Sequence, residues 1–473
     1  MSERDSRQDG EADGTGASAS PEAPRPKGGL WGRRDRITRR ARIGAKQVVR
    51  RQVPGGARYA FRIDFTAMLL AGLYTGAVFP FINVIARDDL GASENVLAWI
   101  TAAPFLGNLM ALFWARAMEG RRKIPFVKWS HIGARSMVMM TFFASGAGSF
   151  ALVVSLCQVI GTIATPAYAA IIKEVYPDDQ RGRILGITRA AILGAQVAST
   201  LIAGWLLGTV GYQVVFPVAA LLGIASALIF SRILNEDDVE AARPAAGEGP
   251  GLKEKFSETW EFIRSTFHIL WEDDAYRWFA MSVFTYGFGN LMTVPLIPVI
   301  QVDELHIQKS ELALLSNLSQ LVAMVFFFYW GRFVDRRSPQ RAVVVNIMLN
   351  TLIPLVYIGT AWFPGASAWV LLPAFIISGV VMAGIDLSYF NALLSFSGPE
   401  KVSRYQALQS FLLGMRGSVA PFLGSALAHV LRAHQLNLRY AFALSIVFML
   451  AGAWMQLVAA RKQESRRLVL DIG

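Results

Sequence analysis

"VFPFINVIARDDL" at residues 78–90 and "TVPLIPVIQVDEL" at residues 293–305 are two versions of one pattern in a chain of 473 residues. At a constant offset of 215 the two stretches align one proline and two acidic positions: Pro80 with Pro295, Asp88 with Asp303, and Asp89 with Glu304. A second match, at an offset of 220, aligns two glycine pairs: Gly194 with Gly414, and Gly204 with Gly424. The chain therefore consists of two related halves.

The repeated stretches belong to long apolar runs. The chain is 53% hydrophobic and only 17% charged, far below the roughly 25% charge of soluble domains. A helix needs about 20 mostly apolar residues to cross a bilayer. Twelve segments have that length: 65–86, 96–115, 125–145, 149–172, 184–210, 212–231, 278–300, 311–330, 342–363, 367–396, 405–431 and 440–460.

These segments predict an all-α fold. Only helices and closed barrels satisfy every backbone group in lipid, and the runs are continuous rather than alternating with a period of two. A large soluble helical protein would need polar faces at helical spacing, which most of the segments lack. We therefore predict a polytopic membrane protein with 12 transmembrane helices in two pseudo-symmetric six-helix bundles.

Lysine and arginine are unevenly distributed among the connections. The connections on one side carry about 19 of them, whereas those on the other side carry only Arg87, Lys309, Arg432 and Arg439. Because basic connections stay in the cytoplasm, both termini are predicted to be cytoplasmic, in a plasma (inner) membrane. The same bias accounts for the net charge of +12, so no nucleic-acid partner is predicted.

Composition divides the chain into five parts. The first is rich in Ser, Gly, Pro and charge, which predicts disorder, and its basic portion either anchors the topology or lies on anionic lipid. The connection between the halves has apolar residues at helical spacing, from Phe256 to Leu270, which predicts an amphipathic surface helix. The predicted parts are a disordered basic arm (1–57), a six-helix bundle (58–232), a linker (233–276), a second six-helix bundle (277–461) and a tail (462–473).

Twelve helices, cytoplasmic termini, a long central connection and two repeats together resemble the major facilitator superfamily, over nearly all of residues 60–460. The family motif G-x-x-x-D-R-x-G-R-R/K lies between helices 2 and 3, with a weaker echo between helices 8 and 9. Here the second copy, "GRFVDRRSPQR", retains more of the pattern: Gly331, Asp335, Arg336, and Arg341 one residue later than the motif's basic pair. The first copy, "FWARAMEGRRK", retains Gly120, Arg121 and Arg122. Arg181 in "YPDDQRGRILG" resembles the family's Arg-Gly pair at the entry to helix 5.

The resemblance implies a gating role for these loop residues. Asp335 and Arg336 can bridge to a neighbouring helix only while that side of the protein is closed, and a glycine at 331 lets helices approach. The alternative is that they are ordinary basic-side charges. Only the second copy keeps the aspartate, so the predicted gate is asymmetric between the halves.

Ionisable side chains within a span are costly and need a partner or a role. The predicted spans contain five away from their edges: His131, Arg135, Arg189, Asp386 and Arg416. In the resembled family helices 1, 4, 7 and 10 line the cavity, which makes Asp386 the leading candidate for substrate or proton contact, with Arg416 as its partner. The alternative is a structural ion pair. Four further candidates for the cavity, or for simple interhelical hydrogen bonds, are Tyr74, Asn83, Tyr286 and Asn290.

The function predicted is secondary active transport of a small solute by alternating access, by a monomer, with protons as a candidate coupling ion. Three intramembrane arginines against one aspartate favour an anionic or zwitterionic solute. The alternatives are a multidrug or metabolite efflux carrier and a non-transporting sensor or scaffold. The chain has one cysteine and five histidines and no nucleotide-binding or hydrolase motif, so neither an enzyme nor a cofactor or metal is predicted.

Overall fold

The computed structural model describes residues 58–472 except 111–112, 115–117, 119–120, 177, 234–263, 265–266, 364–366 and 397–401. The predicted arm and most of the predicted linker lie outside the described residues. Within the described helices, the side chains of Asp335 and Asp386 are also outside the description.

The first half of the molecule contains helices α1 to α6. Helix α1 has three consecutive pieces, Arg58–Val78, a 3-10 turn at Phe79–Phe81, and Ile82–Asp88. Helix α4 has two pieces, Ala147–Thr162 and Ala164–Val175. The others are α2 (Glu94–Leu109), α3 (Ile124–Met139), α5 (Asp178–Thr209) and α6 (Tyr212–Phe230).

The second half contains helices α7 to α12. Helix α7 begins as Asp274–Thr293, passes through a 3-10 turn at Val294–Leu296 and the short helix Ile297–Val299, and ends in a π-helical turn, Ile300–Glu304. The others are α8 (Lys309–Arg336), α9 (Pro339–Gly359), α10 (Leu372–Phe396), α11 (Val402–Ala433) and α12 (Tyr440–Ile472).

The twelve predicted spans are confirmed as helices. Ten helical stretches among the described residues are long and apolar enough to cross a membrane. The other two, α2 and α3, have 16 described residues each and lie where the sequence predicts spans. Several ends differ from prediction, most of all two: α1 begins at Arg58, before the predicted 65, and α12 continues as helix through the predicted tail to Ile472.

The internal repeat is visible in the backbone. Both 3-10 turns contain the aligned proline, Pro80 in α1 and Pro295 in α7. Proline lacks an N–H and cannot make the regular helical hydrogen bond, so each helix is interrupted at the same place in its half. The packing repeats as well, since α5 packs on α1 and α11 packs on α7. Most of the packing between the halves is that of α5 on α8 and of α2 on α11, with smaller contacts of α1 and α2 with α7.

Small residues let the helices within each half approach closely, as is usual in membranes. Gly76 of α1 lies against the backbone of Gln196 in α5, and Gly424 of α11 lies against the carbonyl of Met292 in α7. A Cβ at Gly424 would overlap that carbonyl oxygen. No side-chain movement relieves this clash, because the contacted atom belongs to the backbone.

Gly424→Ala should therefore lower stability by about 1–3 kcal/mol, the usual cost of overpacking. The matched control is Gly194→Ala in α5, where nothing lies within 4 Å of the new Cβ. That change should be neutral or stabilising, because alanine favours the helix by up to about 1 kcal/mol over glycine. Thermal melting of the two purified variants measures the difference, and equal melting temperatures would refute the close contact.

Candidate functional site

One end of the bundle carries the short connections α1–α2, α7–α8 and α11–α12. All four basic residues that the sequence assigns to this side form ion pairs: Arg87 with Asp303, Lys309 with Asp89, Arg432 with Glu94, and Arg439 with Glu304. The first three pairs join the first half to the second, whereas the pair of Arg439 lies within the second half. We call this the bridged end.

Arg87 makes the most extensive of these contacts. Its Nε donates to Asp303 Oδ1 at 2.9 Å and its Nη2 donates to Asp303 Oδ2, while Nη1 donates to the carbonyl of Ala92 at 2.7 Å. Two parallel N–H···O bonds between guanidinium and carboxylate are stronger and more directional than a single one. The side chain of Arg87 is only 15% exposed, so this pair is better protected from solvent than a typical surface ion pair.

The other two bridges come from α8 and α11. Lys309 Nζ lies 2.5 Å from Asp89 Oδ1 and 3.4 Å from Asp88 Oδ2. Arg432 Nη2 lies 2.7 Å from Glu94 Oε1, and the glutamate side chain is only 4% exposed. The acidic residues aligned by the repeat therefore form ion pairs with basic residues. Asp88 and Asp89, at the end of α1, pair with Lys309 of the opposite half.

At the opposite end, where α1 begins and α12 finishes, ion pairs stay within a half. Lys123 of α3 pairs with Glu174 of α4 in the first half. Lys462 of α12 pairs with Asp274 of α7 in the second half. We call this the terminal end. The described ion pairs that fasten the halves together thus lie at the bridged end.

A cavity of about 260 Å³ lies beneath the bridged end, between α1 of the first half and α7, α8, α9 and α10 of the second. Its lining is mostly aliphatic and contains no charged side chain; the polar members are Asn83, Gln301, Ser316, Tyr357 and Ser378. Gln301 Nε2 donates to the Tyr357 hydroxyl at 3.0 Å. Asn83 Oδ1 is buried and accepts no hydrogen bond within the described part of the chain.

A buried carboxylate lies in the part of α1 nearer the terminal end. Asp64 has no exposed surface, its Oδ2 accepts a hydrogen bond of 3.0 Å from the Tyr176 hydroxyl, and its Oδ1 has no partner among the described residues. Tyr168 and Arg189 lie close by. Sequence analysis missed Asp64 because the apolar run was counted from residue 65. The sequence also allows a helix that begins several residues earlier, at Arg58, and such a helix includes Asp64.

Among the predicted intramembrane basic residues, Arg135 and Arg416 are bound inside the halves, whereas Arg189 is exposed. Arg135 donates to the carbonyl of Gly223, with its guanidinium 5.5 Å from the ring centre of Tyr74. Arg416 donates to the carbonyl of Val283, and its buried Nε has no described partner. His131 lies close to Arg135. None of these basic residues lines the cavity, and the predicted pairing of Arg416 with Asp386 stays a prediction.

Of the four predicted polar residues, one lines the cavity and three do not. Asn83 lines the cavity. Tyr74 and Tyr286 are buried within their halves, the first 3.5 Å from Cys157 Sγ and the second bonded to Asn350, so both fit the alternative of interhelical hydrogen bonding. Asn290 is not part of the cavity lining; its backbone carbonyl accepts from Thr293 in the same helix.

The predicted gating motif is only partly described. The backbone at Gly120 and the side chains of Asp335 and Arg181 lie outside the described residues. Arg121, Arg122 and Arg336 are exposed, and Arg341 pairs at 2.9 Å with Glu464 of α12, in its own half. Nothing lies within 4 Å of a Cβ built at Gly331, so the predicted close approach there is absent in this state. The gating role of the motif stays a prediction.

Twelve helices in two repeated bundles, joined by ion pairs at one end above a cavity between the halves, define the class of the protein as a secondary transporter of the membrane. The comparison with protein families names the group. The model of the Major Facilitator Superfamily matches residues 65–421 and 280–469. The chain therefore belongs to this superfamily, as the sequence motifs predicted.

Relatives and solved structures agree with this assignment. The chain is 24% identical to a Multidrug resistance protein B homolog of Mycobacterium tuberculosis, over 81% of this chain and 79% of the relative. It is 20% identical to a putative niacin/nicotinamide transporter of Bacillus subtilis, over 83% and 93% of the two chains. A bacterial homolog of the human lysosomal transporter Spinster, solved in an inward-facing and unoccupied conformation, matches with a TM-score of 0.64 at 14% identity, over 87% of this chain and 98% of that one.

Proposed function

We propose that this transporter moves a small solute by alternating access, is driven by protons, and has its terminal end in the cytoplasm. The observation that carries the proposal is the placement of the ion pairs between the halves. Arg87, Lys309 and Arg432 all cross at the bridged end. Rocking of two halves about a central site requires such reversible contacts at one end at a time.

The orientation follows from the basic residues. The terminal end carries the majority of the Lys and Arg in the connections, and basic connections stay in the cytoplasm. The bridged end then faces outward and is closed, which makes this the inward-facing state.

Asp64 is the residue that we propose to carry the proton. It is a buried carboxylate with one oxygen bonded to Tyr176 and the other unpartnered in the described structure. Because Oδ1 accepts no hydrogen bond in the described structure, it can take up a proton without breaking one. Ionisable groups within a membrane span commonly serve as proton relays. Asp386, the sequence-based candidate, stays a prediction beside it.

The direction of transport has two candidates. One relative is named for multidrug resistance and another as a putative niacin/nicotinamide transporter, and the two directions to be tested are efflux and uptake. A sensor or scaffold that binds without moving solute is the remaining alternative. Flux through purified protein distinguishes the carriers from the sensor.

The test uses purified protein in liposomes with an imposed pH gradient and three labelled probes: nicotinamide, nicotinate and ethidium. At least one probe should accumulate above the level in protein-free liposomes, and a protonophore should abolish the accumulation.

A doubly substituted protein, Arg87→Cys with Asp303→Cys in a Cys157→Ser background, tests whether the bridged end must open during transport. Cross-linking the new cysteines with a cleavable thiol reagent should stop flux, and cleaving the reagent should restore it.

The native cysteine does not disturb this design, because Cys157 of α4 is replaced by serine and the chain has no other cysteine. The singly substituted proteins, treated with the same reagent, are the matched controls and should keep their flux. Flux that continues with the bridged end cross-linked would contradict alternating access. Specific binding of a probe without flux would instead support the sensor.

A further inference from the structure

We infer that the cavity beneath the bridged end binds the solute, and that this solute is an uncharged, largely apolar molecule that donates a hydrogen bond to Asn83 Oδ1. The inference rests on the proposed transport function and adds the chemical class of the substrate. It differs from the anionic or zwitterionic solute that the count of arginines predicts. The two classes make opposite predictions for matched pairs of ligands.

The lack of charge in the lining disfavours an anion. All of the residues around the cavity are uncharged. The nearest basic residue along α1, Arg87, is neutralised by Asp303, and Arg135 and Arg416 are bound to backbone carbonyls inside the halves. A charged ligand without a counter-charge would lose hydration and gain no ion pair, which is unfavourable. An uncharged ligand avoids that cost.

The polar atoms of the lining determine whether the ligand donates or accepts the hydrogen bond. Asn83 Oδ1 is a buried acceptor that receives no hydrogen bond in the described structure, and such a group is costly unless something donates to it. A ligand N–H or O–H satisfies it. A carboxylate cannot, because an ionised carboxyl only accepts. The Asn83 amide therefore favours an amide or alcohol over the corresponding acid.

The size of the cavity sets the size of the ligand. A cavity of about 150 Å³ holds benzene, and drug-sized ligands occupy about 300–1,000 Å³. The observed 260 Å³ therefore fits a molecule of about one or two rings. Asn83 lies one helical turn before Arg87, and Gln301 lies in the same π-helical turn as Asp303. The segments that line the cavity also hold the first ion pair, so a ligand here is placed to affect the opening of the bridged end.

Binding of matched neutral and anionic pairs to the purified protein tests the inference: benzamide with benzoate, nicotinamide with nicotinate, and indole-3-carboxamide with indole-3-carboxylate. We expect at least one amide to raise the melting temperature and its acid not to do so. Asn83→Leu keeps the shape of the side chain and removes the acceptor. Loss of one hydrogen bond should weaken binding of that amide about 3- to 10-fold. Asn391→Leu is the control, since Asn391 lies outside the cavity and donates to the Leu387 carbonyl of its own helix.

Three outcomes would overturn the inference. The first is an acid that binds as tightly as its amide, which would favour the anionic class. The second is an amide whose affinity is the same in Asn83→Leu and in the parent protein. The third is a protein that shows flux of a probe but binds no amide of any pair. In that third case transport stands and only the substrate class fails, so the two proposals are tested separately.

Discussion

Arg87→Asp should open the bridged end. The substitution replaces an ion pair that joins the halves by two like charges, since the new carboxylate at position 87 faces that of Asp303. A partly exposed pair contributes up to about 1 kcal/mol, and repulsion adds a similar amount. The total of about 1–2 kcal/mol shifts a two-state equilibrium roughly 5- to 30-fold. The outward-open state should therefore gain population by about that factor.

A cysteine in the cavity measures this shift. Ser316→Cys in a Cys157→Ser background places one thiol beneath the bridged end, where a membrane-impermeant maleimide added from outside reaches it only after that end opens. Labelling should be about 5- to 30-fold faster with Arg87→Asp than without it. The double exchange Arg87→Asp with Asp303→Arg should return labelling towards the parent rate, because the opposite charges face each other again.

The matched control is Arg439→Asp. This change makes the same charge reversal at the same end, but the partner Glu304 belongs to the same half as Arg439. It should leave labelling near the parent rate, since no bridge between the halves is lost. Equally fast labelling in Arg439→Asp and Arg87→Asp would show that general loss of charge, rather than the bridge itself, controls opening.

The spans and the repeat could be predicted from sequence because they depend on local composition. Each span is an apolar run of sufficient length, and the interruptions of α1 and α7 lie at the prolines Pro80 and Pro295, which cannot complete the helical hydrogen bonds. The alignment of the two halves placed both prolines correctly. These features need no knowledge of which helices are neighbours.

The pairing of side chains could not be predicted in the same way. Arg87 and Asp303 are 216 residues apart, and Lys309 and Asp89 are 220 apart. Sequence analysis identified the four outer basic residues as a topology signal and, separately, four of their five acidic partners as part of the repeat. Their contacts depend on how the halves meet, which is a property of one conformational state rather than of any single segment.

The electrostatics of the interior were the least predictable. Counting intramembrane charges gave three arginines and one aspartate, which favours an anionic solute. The structure adds Asp64 to the interior and binds Arg135 and Arg416 to backbone carbonyls away from the cavity. A count of charges therefore misses both where they point and what already satisfies them.

Asp64→Asn should abolish the response of the transporter to pH. An amide has the shape of the carboxyl group but cannot take up or release a proton at Oδ1. If Asp64 is the coupling residue, protonation should change the balance between inward-facing and outward-facing states, as a switch ligand does. The ratio of inward-facing to outward-facing protein should then be the same at every pH in the variant. It should also lose accumulation driven by a pH gradient while keeping solute exchange at equilibrium.

The measurement needs no known solute. Labelling of Ser316→Cys is followed across a range of pH in the parent, in Asp64→Asn and in Tyr176→Phe. The parent should change its labelling rate with pH, and Asp64→Asn should show a flat profile. Tyr176→Phe removes the hydroxyl that donates to Oδ2 but keeps the carboxyl, so it should still respond to pH. A merely structural aspartate would lower thermal stability in the Asn variant and leave the pH profile unchanged, and that result would remove Asp64 from the coupling mechanism.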